Sequence, residues 1–263
     1  MNAVALASVE KCAIARHFDH LSPSNINDFI ERRPKWLASR ILGHKFPASV
    51  AMHLGTAGEA GIKGGTADCL SVDDAISTAL EVFDGLTVQF EGDAVTTARD
   101  NLPRVIRAGI EAVGELVKEH GPIVQAQRRV EGSFADGVMP WLGFTDLTLM
   151  DGTIIDLKVT GKSKSEMPAG WARQGAYYQW MERAPAVKFL AVIPLKKEVK
   201  TQVLPLENVG AWVRQLQMAE HAMESMLSMP STDSLIAACF PNMDDFYWSD
   251  AESRAIANTI WGV

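Results

Sequence analysis

The chain has 263 residues, with 47% hydrophobic and 22% charged residues and a net charge of −7. That length accommodates one large domain or two small ones, and the composition is that of an ordinary folded protein rather than a low-complexity or disordered one. No apolar run approaches the roughly 20 residues needed to span a bilayer, and an acidic total means that any contact with nucleic acid must come from local basic strips.

Met1 to Val9 is mildly apolar but lacks a basic start and a long apolar centre, so it does not read as a signal peptide. Ser22-Pro23 offers an N-cap and a proline at the first helical turn, and Ile26, Phe29 and Ile30 follow at helical spacing. Trp36, Leu37 and Ile41 extend the pattern past Pro34. Arg32, Arg33, Lys35 and Arg40 lie between them as a solvated face or a phosphate-binding strip. Residues 48–67 read as a helix containing Gly55, Gly58 and Gly61, a side-chain-free face that suits tight packing or close approach of a ligand. Ser71 starts another helix with Asp73 and Asp74 in its first turn. Asp93 to Glu119 is a long amphipathic pattern stopped by His120-Gly121-Pro122, where His120 reads as a helix-end residue.

From Ile123 the period becomes two, and Ile123 to Glu131 reads as a strand. A hairpin follows. Leu147 and Leu149 stand on one arm, Ile154, Ile155 and Leu157 on the other, and Asp151-Gly152 supplies the tight turn. Side chains alternate along a strand, so Asp156 and Lys158 share a face roughly 7 Å apart. A turn centred on Asp151-Gly152 sets Asp146 nearly opposite Asp156. Two acids and an amine then occupy one patch of sheet. Close carboxylates repel unless a cation joins them, and hard oxygen ligands suit Mg²⁺ or Mn²⁺. The alternative is a solvated hairpin with a lysine on its outer face.

Residues 168–181 form the next helix, on which Gln174 and Tyr178, four apart, share a face. Val187 to Ile193 and Val199 to Leu204 are strands, and Val209 to Met229 is a helix whose methionines read as core filling. The tail Asp244-Asp245-Phe246-Tyr247-Trp248 is a lid or a partner-binding segment. Cys12, Cys69 and Cys239 are far apart and in no CxxC pair, which suggests reduced thiols in a cytoplasm.

Asp146 followed by Asp156-Leu157-Lys158 resembles the D…(D/E)xK signature of the PD-(D/E)XK nuclease superfamily. Its RecB-like branch fits best: Gln174 to Tyr178 resembles that branch's Gln-x-x-x-Tyr helix, Gly55-Thr56-Ala57-Gly58-Glu59 its upstream acidic element, and Leu21 to Phe29 its N-terminal helix. The similarity spans about residues 21 to 195 in the expected order. It implies an α/β fold with a restriction-endonuclease-like core: a short mixed β-sheet flanked by helices, with a helical N-terminal elaboration. It implies one nuclease domain over 1–263, with N-terminal helices at about 20–120, the catalytic core at about 121–205 and C-terminal helices at about 206–263. It further implies a Mg²⁺- or Mn²⁺-dependent deoxyribonuclease, exonuclease rather than endonuclease, of recombination or repair type. Asp146, Asp156, Glu59 and the Leu157 carbonyl would hold metal, Lys158 would position water, and Gln174 and Tyr178 would support the site. Glu131 would be an accessory acid. DNA is the implied partner, with a homo-oligomer or a recombination protein as further possibilities and no membrane. Relatives with an iron–sulfur cluster carry four cysteines; Arg33 stands where the first would be and only Cys239 lies in the tail, so no cluster is expected. Lys158, Lys162, Lys164 and Arg173 form a second candidate strip for phosphates. Two other classes compete: a non-catalytic nucleic-acid-binding or assembly subunit that keeps the fold, and an unrelated metal hydrolase using the same acids.

Overall fold

A computed structural model describes residues 12–263. The expectation for Met1 to Val9 lies outside them. In chain order the helices are α1 (Pro23–Glu31), α2 (Arg33–Trp36), α3 (Val50–Thr66), α4 (Val72–Leu86), α5 (Asp93–His120), α6 (Ala169–Glu182), α7 (Val209–Leu227), α8 (Thr232–Ala238) and α9 (Ala251–Trp261). The strands are β1 (Ile123–Gly132), β2 (Trp141–Leu149), β3 (Ile154–Val159), β4 (Val187–Pro194) and β5 (Val199–Pro205). The chain divides into two compact units, one of the described residues up to Pro47 with Glu131–Gly143 and Gly210–Val263, the other of Ala48–Val130 with Phe144–Val209.

The second unit holds most of a five-stranded mixed sheet in the order β1-β2-β3-β4-β5. The hairpin pair β2 and β3 is antiparallel, β3 and β4 are parallel, and β4 and β5 are antiparallel. Parallel neighbours need a crossover, and α6 supplies it between β3 and β4. The central strands are apolar along nearly their whole length: Phe189, Leu190, Ala191, Val192 and Ile193 are all fully buried. Helices α3, α4 and α5 cover the sheet through Ile62, Ala79, Phe83, Leu102 and Ile106. The glycines of α3 serve this packing. A Cβ at Gly61 would lie 2.5 Å from Ile106 Cδ1 and 2.8 Å from Ala79 Cβ, and one at Gly58 would lie 2.7 Å from Val159 Cγ2.

In the first unit, Ser22 caps α1 by accepting the Asn25 N–H, as its sequence predicts. The helical pattern past Pro34 is broken, however. After the four residues of α2 the chain runs as a π-turn over Leu37–Ile41. Trp36 is fully buried and donates its indole N–H to Asn25 Oδ1 at 2.7 Å. The basic residues here are engaged inside the unit: Arg32 and Arg40 both pair with Asp28, and Lys35 lies over the rings of Phe46 and Tyr247. The aromatic tail packs as well, since Trp248 is buried against Phe46 and Trp261 while Phe246 remains 81% exposed. Met223 and Met226 of α7 are buried core residues. Among the described residues no helix is long and apolar enough to cross a membrane.

Candidate active site

All six residues singled out for catalysis lie in the second unit, on α3, β2, β3 and α6. The hairpin turns as expected: Gly152 has φ of +88° and Thr153 N–H donates to Asp151 Oδ1. The register pairs Leu147 with Ile155 and Thr148 with Ile154, so one further step sets Asp146 across from Asp156. Asp146 Oδ2 accepts the Leu157 N–H at 2.9 Å, which ties the first acid to the backbone beside the second. Asp156 is 1% exposed. The ammonium of Lys158 lies 2.5 Å from Asp156 Oδ1. Lys158 is thus the charge partner of Asp156 Oδ1, while Oδ2, also buried, has no hydrogen-bond partner.

The electrostatics follow from this burial. Desolvation pushes the Asp156 carboxyl well above the usual range, with Lys158 opposing it and Asp146 adding to it. Burial alone would lower Lys158, but Asp156, Glu59 and Asp146 outweigh it and hold the side chain as an ammonium. Glu59, half-buried on α3, is pushed up to about 7, first by burial; Asp146 and Asp156 raise it further, and Lys158 and Lys63 oppose them. On α6, Gln174 Nε2 donates to the Tyr178 hydroxyl at 3.2 Å. Burial and then Asp156 push that phenol up to about 12. The predicted residues Glu59, Asp146, Asp156, Lys158, Gln174 and Tyr178 are therefore one electrostatic neighbourhood.

One member escaped the sequence reading. Lys63 Nζ lies 3.4 Å from Asp146 Oδ1, and its side chain is only 15% exposed. The signal was its spacing, four residues after Glu59, which places both on one face of α3. Other candidates have different surroundings. Arg173, assigned to a phosphate strip, is 3% exposed and is not a surface cation. Lys162 is exposed, while Lys164 lies over the Trp171 ring, its backbone clamped by Gln202 through Lys164 N–H to Oε1 and Nε2 to the Lys164 carbonyl. Glu131 is exposed near the end of β1 and belongs to the first unit. His120 ends α5 as expected. Its Nδ1 lies 2.8 Å from Asp151 Oδ2, and its Nε2 lies 2.7 Å from Lys188 Nζ.

Among the described residues no three His, Cys, Asp or Glu side chains stand gathered, as they are, into a set able to hold a metal ion. Both oxygens of Asp146 are engaged, by Lys63 and by the Leu157 amide. The chemistry of the donors nevertheless fits a hard divalent cation. Asp156 offers a buried carboxylate whose Oδ1 is held by the Lys158 ammonium and whose Oδ2 has no hydrogen-bond partner, and hard oxygens of this kind suit such an ion.

No protein-family profile matches the sequence, and no curated protein does. Solved structures do. A Eubacterium rectale protein described as "Putative exonuclease" superposes with a TM-score of 0.55 over 85% of this chain and 84% of its own, at 17% identity. The chain shares that protein's fold. A phage-related exonuclease from Haemophilus somnus 129PT matches over 82% of this chain and 99% of its own, with a TM-score of 0.33 and 14% identity.

Proposed function

We propose that the protein is a divalent-metal-dependent deoxyribonuclease, an exonuclease rather than an endonuclease, of recombination or repair type. The observation that carries this reading is the buried carboxylate of Asp156, its Oδ2 without a hydrogen-bond partner, in one electrostatic cluster with Asp146, Glu59 and Lys158. A structural acid at such a place would have both oxygens satisfied. An oxygen kept for a cation would not be. The fold shared with a protein described as an exonuclease supports the same reading.

Asp146, Asp156 and Glu59 would hold Mg²⁺ or Mn²⁺, with the Leu157 carbonyl as a main-chain ligand. The bound ion would polarise the phosphodiester and lower the pKa of a coordinated water. In the hydrolysis the water oxygen forms a bond to phosphorus, the bond to the leaving oxygen breaks, and a proton passes from the water to solvent or leaving group. Lys158 is held as an ammonium, so it cannot take that proton. Its part is to orient the water and to stabilise negative charge growing on the phosphoryl oxygens. Gln174 and Tyr178 fix each other and form the wall beside Asp156.

The test is cleavage of single- and double-stranded DNA with Mg²⁺, Mn²⁺ or EDTA, using wild type, Asp156→Asn and Lys158→Ala. Cleavage should need the cation and fall at least about a hundredfold in each variant. Cleavage that persists in both variants overturns the site. A folded wild type that cuts no DNA overturns the enzyme and favours a non-catalytic subunit.

A further inference from the structure

Lys63 has no place in the reading above, yet it is among the most intimate contacts of the site. Its ammonium reaches Asp146 Oδ1 across 3.4 Å, from the helical face that also carries Glu59. The two side chains are similarly shielded, at 15% and 16% exposure. This is not a solvated surface pair, whose geometry would carry little meaning. A lysine that stabilised a permanent carboxylate would also be an odd neighbour for a cation site, because it competes for the same oxygen.

The charge count resolves this. With Glu59 ionised, three carboxylates face two ammoniums, Lys63 and Lys158, leaving one net negative charge. A divalent cation added to that set leaves one net positive charge. A single phosphodiester then brings the site to neutrality. Without Lys63 the loaded site would be neutral before DNA arrived, with no residual attraction for a phosphate. Each lysine guards one acid: Lys158 stands at Asp156, and Lys63 stands at Asp146. They differ in grip. Lys158, on a central strand, lies 2.5 Å from its acid, whereas Lys63, reaching in from a helix, lies 3.4 Å from its own.

We propose that Lys63 is an exchangeable counter-ion, holding Asp146 while the site lacks a divalent cation and turning to a non-bridging phosphate oxygen of the DNA once Asp146 is taken. This rests on the nuclease reading and adds a residue and a role to it. Asp146 Oδ1 is already occupied, and by a partner that can leave.

The experiment is calorimetric titration of Mn²⁺ into DNA-free protein, for wild type, Lys63→Met, Lys63→Gln, Lys63→Arg and Asp156→Asn. Removing the competing ammonium should tighten Mn²⁺ binding about tenfold in the Met and Gln variants, while the Arg variant stays near wild type. DNA binding in Ca²⁺ should weaken in the Met and Gln variants, and its dependence on log[salt] should lose about one unit of slope, the mark of one lost phosphate contact. A purely structural ion pair would lower the melting temperature and leave both quantities unchanged, and that result overturns the proposal. If wild type binds Mn²⁺, Asp156→Asn does not, and Lys63→Met matches wild type, only the role of Lys63 falls. If wild type takes up no Mn²⁺, the metal site and this proposal fall together.

Discussion

At the scale of single residues, the two units treat a buried carboxylate in different ways. Asp156 has one oxygen beside the Lys158 ammonium and the other without a hydrogen-bond partner. Glu220 of α7, fully buried in the first unit, has three hydrogen-bond donors: Val138 N–H and Met139 N–H to Oε1 at 2.8 Å each, and the Trp141 indole N–H to Oε2 at 3.1 Å. The second is a satisfied structural acid. Burial raises its carboxyl above the ordinary range, and the three donors oppose this without cancelling it. The folded state thus holds the Glu220 proton more tightly than the unfolded chain does. Stability from this group is complete below the ordinary Glu value and is lost as pH rises through the raised one. Glu220→Gln keeps both bonds at Oε1 but sets an amide against the Trp141 N–H, and should cost about 1–3 kcal/mol. Urea denaturation at acid and neutral pH should show that deficit shrinking as pH rises, because only wild type titrates there. A deficit that grows with pH would mean the donors, not burial, dominate. Sequence could not reveal this residue, since the donors lie 79 to 82 positions away. Asp146, Asp156 and Lys158 were legible because parity and a turn residue suffice to place them. Lys63 was legible only in its helical phase, and Arg173 was misread because a charge in a sequence does not show its burial.

At the scale of elements, the site depends on how closely α3 approaches β3. Gly58 allows that approach, as an added Cβ would meet Val159 Cγ2 at 2.7 Å and Val105 Cγ1 at 3.5 Å. Gly58→Val should therefore push the helix outward, cost about 1–3 kcal/mol by overpacking, and displace the adjacent Glu59. DNA cleavage should fall at least about tenfold beyond what the loss of folded protein explains, because small misplacements of a catalytic group are costly. Gly114 of α5 is the control. A Cβ there meets nothing within 4 Å, so Gly114→Ala should stabilise by about 0.5–1 kcal/mol through helix propensity alone, with cleavage unchanged. Thermal melts and cleavage rates of the two variants test the contrast. The elements themselves were mostly legible, because long amphipathic runs such as α5 and apolar runs such as β4 announce their partners. Two kinds were not. The π-turn at Leu37–Ile41 continues a helical pattern with altered hydrogen bonding, which hydrophobic spacing does not register. Helices α8 and α9 are short and lie in a polar tail, where their caps, Ser231 and Asp250, are weak signals.

At the scale of the whole molecule, a net charge of −7 sets the conditions under which the proposed substrate, DNA, would be held. The field of the protein repels a polyanion at distances up to the Debye length, about 10 Å in 0.1 M salt. Several cations are already engaged: Arg32 and Arg40 are paired with Asp28, Arg128 with Glu182, Lys188 with Glu119, and Arg173 is buried. With Glu59 ionised, the site without a divalent cation is itself negative, with three acids facing two lysines. DNA should then bind weakly in EDTA, and the cation should be needed for binding as well as for cleavage. Fluorescence anisotropy of a labelled duplex gives the test, with Ca²⁺ as an ion that carries the charge. Affinity should rise about tenfold or more on adding Ca²⁺ to wild type. It should rise little in Asp156→Asn, where the ion has lost its principal buried acid. Equal affinity with and without Ca²⁺ would place the DNA contact on some other surface and separate binding from the acids of β2 and β3. A rise that survives in Asp156→Asn would mean the ion acts by general screening, which added monovalent salt would then reproduce.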